Sequence, residues 1–299
     1  MKPLHQALSG VVATSITPFL ENGEVDYPAL KANAEYLVAG GADVIVPCGN
    51  TAEFFHLTVD EAKKVTRIVT ETVAGRAPVI TGIGYALPTA LELGRYAQQV
   101  GVDAVMVHQP NQTHSSQDGV AKYIEAICDA LEIGVIPYKR HSNVISDATL
   151  ERVIKRPNLI AVKYAEPDVR AAQEIVSRTR DQTHVIWVNG IAESWAPAFR
   201  LAGMTGFTSG LVNAAPQLSA QFRDAMRDDN TMETQRLWEL LKPFEYLRAK
   251  YSSANNVPVV KEACAQLGLS GRTVRLPLTE VPPEDAKRIS EILHDWNML

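Results

Sequence analysis

The chain has 299 residues and a formal net charge of −5 at pH 7, with 46% apolar and 21% charged residues. This composition supports a substantial hydrophobic core and argues against a disordered chain. No basic run points to nucleic acid as a partner, and no apolar stretch approaches the length of a membrane span. The length fits either one large domain or two domains of ordinary size.

The cysteines give a first indication of where the protein works. Cys48, Cys128 and Cys264 are few and far apart, which is neither a disulfide framework nor a zinc-binding spacing. Such cysteine usage suits a reducing cytoplasm. Residues 1–7 also lack the apolar run of a signal peptide. We therefore expect a cytoplasmic protein without a membrane partner.

Short apolar segments alternate with amphipathic segments along most of the chain. The segments that predict strands begin at Val11, Asp43, Pro78, Ala104, Gly134, Leu159, His184 and Gly206. Their starts are roughly 22–35 residues apart, which suits one strand and one helix per unit. Eight such units in sequence predict an α/β fold, a (β/α)8 TIM barrel. An open doubly wound sheet is the alternative, disfavoured because no G-x-G-x-x-G follows the first strand.

Several polar residues predict where helices begin. Thr58 opens a capping box with the glutamate three residues later and predicts a helix over 58–73. Ser115 is the expected cap of a later helix, and Asp147 that of a short one. These positions place helices between the predicted strands, as a barrel requires.

The pattern changes after a helix over 216–227, because no further strand follows. Amphipathic helices are predicted over 230–250, 257–267 and 283–296. Pro243 is expected to kink the first of them. We therefore divide the chain into a barrel of residues 8–228 and a C-terminal helical extension of residues 229–299. The apolar stripes of the extension suit part of a homo-oligomer interface.

Lys163 closes the predicted sixth strand. The run over 159–162 is apolar throughout, which predicts a strand buried on both faces. Because lysine is rarely buried without a partner, two roles are open for it. It could extend its ammonium group into water. Alternatively, desolvation could lower its pKa and make it the nucleophilic amine that forms a Schiff base with a carbonyl substrate.

Other polar residues follow the strands at the end where barrel active sites lie. Tyr138 could transfer protons beside Lys163, and Arg140 could clamp a carboxylate with its planar guanidinium. The loop over 49–52 could hold another carboxylate through successive main-chain N–H groups. Ser209, at the end of the eighth strand, is a further candidate for substrate binding. Each also has a structural alternative, namely a packed aromatic ring, a surface arginine or an ordinary loop.

The sequence predicts no metal site. The histidines at the predicted active-site end lack the spacing of metal ligands: His108, His114 and His141. A metal-dependent aldolase, which a chelator would inactivate, stays open as a minor alternative.

Three features at the expected strand ends carry a family resemblance. They are the loop GNTAE at residues 49–53, Tyr138 after the fifth strand, and Lys163 in the run NLIAVK. From about Gly10 to its C-terminus, the chain resembles the dihydrodipicolinate synthase and N-acetylneuraminate lyase family. Members are class I (Schiff-base) aldolases and dehydratases on a barrel with a C-terminal helical extension. They commonly form tetramers, so the resemblance implies a homo-oligomer, a tetramer or dimer.

The resemblance also implies roles for individual residues. Lys163 would condense with a 2-oxo acid, while Tyr138 would relay protons. Asn50 and Thr51 would bind the carboxylate of that acid, although Asn50 stands where dihydrodipicolinate synthases have another threonine. Gly190 matches the glycine after the seventh strand that gives room for substrate. No cofactor is needed, because the lysine iminium supplies the electron sink.

Two further departures separate the chain from dihydrodipicolinate synthases. Asn111 and Gln112 stand where those enzymes have a pair of tyrosines, and Asn143 stands where they have an arginine that clamps the second substrate. Arg140 and the run over 53–58 are instead similar to the branch that contains 5-dehydro-4-deoxyglucarate dehydratase.

The predicted function is therefore a Schiff-base lyase, a dehydratase or aldolase, acting on a 2-oxo acid such as a 2-oxo-3-deoxy sugar acid or pyruvate. One alternative is a dihydrodipicolinate synthase that condenses pyruvate with aspartate semialdehyde. Another is a barrel that binds 2-oxo acids without turning them over.

Overall fold

The computed structural model of the chain describes residues 2–110 and 114–299 and is built around a sheet of parallel strands. The strands are β1 (Val11–Thr14), β2 (Val44–Val46), β3 (Ile80–Ile83), β4 (Ala104–Val107), β5 (Gly134–Lys139), β6 (Ala161–Tyr164), β7 (Ile186–Asn189) and β8 (Gly206–Ser209). Their order in the sheet is β2-β1-β8-β7-β6-β5-β4-β3. Main-chain hydrogen bonds from Ile45 to Pro78 and from Gly82 to Pro47 join β2 to β3. The sheet therefore closes, which confirms the predicted (β/α)8 barrel.

Helices connect the strands and continue after the last of them. They are α1 (Leu4–Ala7), α2 (Tyr27–Ala39), α3 (Val59–Val73), α4 (Leu87–Gln99), α5 (Gln117–Ala130), α6 (Asp147–Val153), α7 (Val169–Arg178), α8 (Ala196–Leu201), α9 (Pro216–Arg227), α10 (Thr231–Ser253), α11 (Asn256–Gln266) and α12 (Pro283–Asp295). Short 3₁₀ helices cover Phe54–His56, Glu193–Trp195 and Leu211–Asn213.

Strand residues point alternately into the barrel and toward the surrounding helices. Val12, Ile136 and Tyr138 belong to the interior layer, and the side chain of Lys163 lies above the same apolar residues. Tyr164, the next residue of β6, packs in the outer layer against the helices. The alternation therefore brings Tyr138 and Lys163 to the inside of the barrel.

The helix starts agree with the sequence patterns to within one residue. The capping box predicted at Thr58 is present at the start of α3. The N-cap of α5 is Ser116, not Ser115, and that of α6 is Ser146, not Asp147. Adjacent polar residues give the same pattern, and only the backbone geometry decides which side chain reaches the N–H group three residues later.

The C-terminal helices α10, α11 and α12 correspond to the three predicted after residue 229. The departure from helical dihedral angles that was expected at Pro243 is found instead at Lys250, Tyr251 and Ser252. Pro243 itself keeps helical dihedral angles, which the fixed φ of proline allows, and α10 continues through it. The division of the chain into residues 8–228 and 229–299 stays a prediction. None of the helices in the described residues has both the length and the apolar character that a membrane crossing needs.

Candidate active site

A cavity of about 420 Å³ opens at the C-terminal ends of the strands, where the sequence predicts the active site. The predicted site residues that line it are Asn50, Thr51, Tyr138, Arg140, Lys163 and Gly190. Helices α10 and α11 contribute Arg248 and Asn256 to its wall. The cavity therefore lies between the barrel and the C-terminal helices.

Lys163 lies at the floor of this cavity, with only 5% of its surface exposed. Its Nζ atom is 4.0 Å from the centre of the Tyr138 ring. Burial lowers the pKa of Lys163 to about 7, and the positive charge of Arg140 acts in the same direction. Near neutral pH a substantial fraction of the amine is therefore uncharged, which is the form that attacks a carbonyl carbon.

Tyr138 lies directly opposite Lys163, because the two residues are paired in the register of β5 and β6. The side-chain amide of Asn50 donates a hydrogen bond of 3.1 Å to the phenol oxygen of Tyr138. Burial raises the pKa of Tyr138, and the charge of Arg140 opposes this rise. The phenol is therefore protonated at neutral pH, with its oxygen already accepting a hydrogen bond.

Gly190 follows β7 and is packed against the stem of the lysine. A Cβ atom at this position would lie 3.0 Å from Cγ of Lys163 and 2.7 Å from Cβ of Ala165. Both contacts are shorter than ordinary van der Waals distances. Glycine at this position therefore leaves room for the side chain of Lys163 itself.

The hydroxyl groups of Thr51 and Thr14 lie 3.0 Å apart in the cavity wall. Thr14 donates to the main-chain oxygen of Ser209 at 2.7 Å, so Thr51 must be the donor between the two threonines. The main-chain N–H groups of Asn50 and Thr51 have no protein acceptor among residues 2–110 and 114–299. These N–H groups can receive a carboxylate. Sequence reasoning missed Thr14, which its position at the end of β1 could have indicated.

The structure does not bring the side chain of Ser209 to the cavity. Its hydroxyl donates to Oε1 of Glu193 at 2.6 Å and lies 3.1 Å from the hydroxyl of Ser219. Thr208, one residue earlier, lines the cavity instead. Because side chains alternate along a strand, only one of the two neighbours can face the barrel interior.

Sequence reasoning missed a charged pair on α10 that lines the cavity. Nη1 of Arg248 donates to Oε1 of Glu245 at 2.6 Å, and its Nη2 donates to Oδ1 of Asn256 at 2.6 Å. Both charged side chains are buried. In the sequence the pair has a Glu-x-x-Arg spacing, which surface ion pairs on helices share and which does not place it at the cavity.

Arg140 lies at the mouth of the cavity and is exposed. Its main-chain N–H donates to Oε1 of Gln109, and its guanidinium has no carboxylate partner in the part of the chain that the structure describes. Asn143 is not among the cavity-lining residues. Asn111 and Gln112 lie outside the described residues.

His108 packs under the loop after β2. Its ring stacks on Phe54 with a centroid distance of 4.3 Å, and its Nε2 lies 2.9 Å from the main-chain oxygen of Cys48. Burial lowers the pKa of His108 to about 4, so the ring is neutral. Within residues 2–110 and 114–299, no cluster of three or more His, Cys, Asp or Glu side chains could hold a metal ion.

A buried amine with a lowered pKa at the end of a barrel strand, next to a phenol, is an arrangement suited to imine chemistry. The sequence model of the dihydrodipicolinate synthetase family matches residues 7–295, and the chain belongs to this family. The predicted family is confirmed, and with it the predicted enzyme class, a class I lyase.

Solved structures support the same assignment. Two structures of dihydrodipicolinate synthase, from Oceanobacillus iheyensis and Bacillus clausii, are each 40% identical to this chain with a TM-score of 0.95. Each match covers 99% of this chain, together with 98% and 100% of the respective structure.

Other relatives have a different name. A probable 5-dehydro-4-deoxyglucarate dehydratase from Ralstonia nicotianae is 30% identical over 291 residues, which are 97% of this chain and 93% of that protein. A protein of the same name from Bradyrhizobium sp. (strain BTAi1) is 29% identical over 287 residues, covering 95% and 91%.

Proposed function

We propose that this protein is a lyase in which Lys163 forms a Schiff base with the C2 carbonyl of a 2-oxo acid. The observation that carries the proposal is the placement of the amine. It is buried at the floor of the cavity with a pKa lowered to about 7, and it lies 4.0 Å from the ring of Tyr138. A lysine that merely extended into water would keep its ordinary pKa and its exposure.

The chemistry follows from the neutral amine. Nζ of Lys163 attacks C2, and loss of water from the carbinolamine gives an iminium ion. The iminium withdraws electrons from C3, so that a C3 proton can leave and the C4 hydroxyl can depart as water. Breaking the C3–C4 bond is the other outcome. Tyr138 donates a proton to the C2 oxygen as it departs, and hydrolysis of the iminium restores the amine.

The loop after β2 provides the site for the C1 carboxylate. The main-chain N–H groups of Asn50 and Thr51, which lack a protein acceptor among the described residues, are the donors. Arg140, exposed at the mouth of the cavity, is placed to bind a second, distal carboxylate. The site therefore suits a dicarboxylic 2-oxo acid.

The substrate we favour is 5-dehydro-4-deoxyglucarate, a dicarboxylic 2-oxo-3-deoxy sugar acid. The relatives from Ralstonia nicotianae and Bradyrhizobium, which are named as dehydratases of this acid, support the choice. The second candidate is dihydrodipicolinate synthesis from pyruvate and aspartate semialdehyde, favoured by the 40% identity to two solved synthases. Asn143 argues against this candidate. It occupies the sequence position where those enzymes have an arginine, and it does not line the cavity.

Assembly and location belong to the proposal as well. We also propose a homo-oligomer, a tetramer or a dimer, as the family resemblance implies, and the exposed apolar side chains of Leu201, Met232 and Leu276 are candidates for its interface. Light scattering that found only monomers at micromolar concentration would contradict it. The free cysteines Cys48 and Cys128 are buried, which supports a reducing cytoplasm.

Reductive trapping tests the proposal. The protein is incubated with pyruvate or with 5-dehydro-4-deoxyglucarate, reduced with borohydride and analysed by intact and peptide mass. We expect an adduct on the peptide that contains Lys163, none in Lys163→Ala, and an unchanged yield in Lys155→Ala, which changes an exposed lysine. Folded wild-type protein without an adduct would overturn the proposal. Turnover of pyruvate with aspartate semialdehyde, and not of the sugar acid, would favour the second candidate.

A further inference from the structure

We infer, on the basis of the proposed function, that Arg248 is a substrate-binding residue that holds the C1 carboxylate of the 2-oxo acid. It would act together with the main-chain N–H groups of Asn50 and Thr51. The C-terminal helix α10 would thus complete a carboxylate site that the barrel supplies only in part.

The two barrel hydroxyl groups next to the loop, those of Thr14 and Thr51, already donate hydrogen bonds within the protein and cannot donate to a carboxylate. Thr14 donates to the main-chain oxygen of Ser209 at 2.7 Å, and Thr51 donates to Thr14 across 3.0 Å. Each hydroxyl has one proton, so both are already used. An anion beside Thr51 therefore cannot use these two hydroxyl groups, and apart from the main-chain N–H groups of the loop its donors must come from another part of the chain.

The guanidinium of Arg248 lies next to this position. A Cβ atom at Gly210 would be 2.5 Å from Nη2 of Arg248, 3.0 Å from its Cζ and 3.4 Å from Oγ1 of Thr51. The guanidinium and the threonine hydroxyl therefore approach the same point above the main chain of Gly210. Glycine at that position is what allows the guanidinium to lie there.

Arg248 keeps donors for a ligand. A guanidinium has five N–H groups. Three of them bond within the protein: Nη1 to Glu245, Nη2 to Asn256 at 2.6 Å, and Nε to the main-chain oxygen of Asn256 at 3.4 Å. One N–H on each Nη atom has no acceptor among the described residues. The side chain is only 8% exposed and lines the cavity, so these two groups suit the two oxygens of a carboxylate.

Its neighbours assign Arg248 to the C1 end of the substrate. Thr51 belongs to the loop whose free N–H groups we assign to the C1 carboxylate, and it shares the space above Gly210 with Arg248. Arg140 directly follows β5 at the mouth of the cavity and remains available for the distal carboxylate.

Three variants test the guanidinium in different ways. Arg248→Gln removes the charge, and Arg248→Lys restores a charge without the planar group. Gly210→Ala keeps the charge but displaces Nη2, and it does not strain the backbone because Gly210 has φ −101° and ψ −29°. The matched control is Arg236→Gln on the same helix, where the arginine pairs with Glu233 on the surface.

The readout is the pyruvate concentration that gives half-maximal borohydride trapping on Lys163, repeated with 5-dehydro-4-deoxyglucarate. Pyruvate has only the C1 carboxylate, so it isolates that end of the site. We expect Arg248→Gln and Gly210→Ala to raise this concentration by about ten- to a hundredfold, which is the range for a lost charge-assisted hydrogen bond. Arg248→Lys should recover part of the loss, and Arg236→Gln should match the wild type.

Two results would overturn the inference. Unchanged pyruvate trapping in Arg248→Gln and Gly210→Ala would show that Arg248 does not bind C1. A loss confined to the sugar acid would assign Arg248 to the distal carboxylate. If Arg248→Gln does not fold, Gly210→Ala alone decides. No adduct in the wild type would instead overturn the proposed function, and the role of Arg248 with it.

Discussion

The side-chain amide of Asn50 donates a hydrogen bond of 3.1 Å to the phenol oxygen of Tyr138. The NH₂ group of a carboxamide can only donate, so the phenol oxygen is the acceptor and its own proton remains available to the cavity. The sequence assigned Asn50 to the substrate carboxylate. In the structure its side chain orients Tyr138, and only its main-chain N–H is left for an anion.

Replacing Asn50 by aspartate should reverse this hydrogen bond. A carboxylate can only accept a hydrogen bond, so in Asn50→Asp the phenol of Tyr138 would donate its proton to the new carboxylate and not to the substrate. The added negative charge would also raise the pKa of Tyr138. We expect kcat to fall by about a hundredfold or more, the scale of a lost proton-transfer group. Steady-state kinetics with the substrate that the trapping experiment identifies would measure this kcat.

Asn50→Thr is the matched variant, because a hydroxyl can still donate to the phenol. We expect it to stay within about tenfold of the wild-type kcat, since a neutral hydrogen bond contributes little net energy. An Asn50→Asp enzyme with wild-type kcat would show that the direction of this hydrogen bond does not matter.

The rate of imine formation should rise with pH. Below the lowered pKa of Lys163, about 7, the amine is protonated and has no lone pair for attack; above it, the neutral amine dominates. The rate of pyruvate trapping should therefore increase between about pH 6 and 8 and then level off. Arg140→Gln removes a positive charge that lowers this pKa, so its inflection should move to higher pH. A wild-type inflection near the ordinary lysine pKa, about 10.4, would contradict the prediction.

Much of the barrel and part of the site could be predicted from the sequence, because each strand is a short apolar run and the candidate site residues follow it directly in the sequence. The apolar run before Lys163 indicated β6, and Tyr138 lies next to the last residue of β5, so the pairing of Tyr138 with Lys163 followed from the parallel register. Ser209 could not be assigned in this way. One residue of register decides whether Thr208 or Ser209 faces the cavity, and a four-residue strand does not reveal it.

Arg248 could not be predicted for a different physical reason. It reaches the cavity only because α10 folds back over the strand ends, which is a long-range packing result. In the sequence, Glu245 and Arg248 have the i,i+3 spacing of an ordinary surface ion pair. The break in α10 likewise occurs at Lys250–Ser252 and not at Pro243.

Adding one methyl group at Gly190 should displace the side chain of Lys163 and slow its reaction, although the amine itself is unchanged. In Gly190→Ala the new Cβ would press on Cγ of Lys163 at 3.0 Å and on Ala165 at 2.7 Å. We expect the trapping rate to fall by about ten- to a hundredfold, because a shift of roughly 1 Å in a nucleophile has effects of that size. Overpacking should also cost about 1–3 kcal/mol of unfolding free energy.

The control for this substitution is Gly119→Ala on α5, away from the cavity. Its added Cβ would meet the hydroxyl oxygen of Ser116 at 3.3 Å and no other atom at a short distance, and alanine favours a helix. Its trapping rate should equal that of the wild type. A Gly190→Ala protein that traps pyruvate at the wild-type rate would show that the stem of Lys163 has room to move.

A buried ion pair connects the loop after β2 to the C-terminal extension. Oε1 of Glu53 lies 2.5 Å from Nζ of Lys261, and both side chains are fully buried. Lys261 also donates to the main-chain oxygen of Thr273, and the main-chain N–H of Arg275 donates to Oε2 of Glu53. Glu53 therefore fixes the end of the loop that carries Asn50 and Thr51.

Removing one partner should destabilise the fold more than removing both. Lys261→Met leaves the Glu53 carboxylate buried without its cation, so we expect a loss of about 3–5 kcal/mol in the free energy of unfolding measured with urea. Adding Glu53→Gln to Lys261→Met removes the unpaired charge and should recover part of that loss. Lys242→Met, which breaks an exposed pair with Glu239 on α10, should change stability by less than about 1 kcal/mol. If Lys261→Met were as stable as this control, the pair would not hold the loop to the extension.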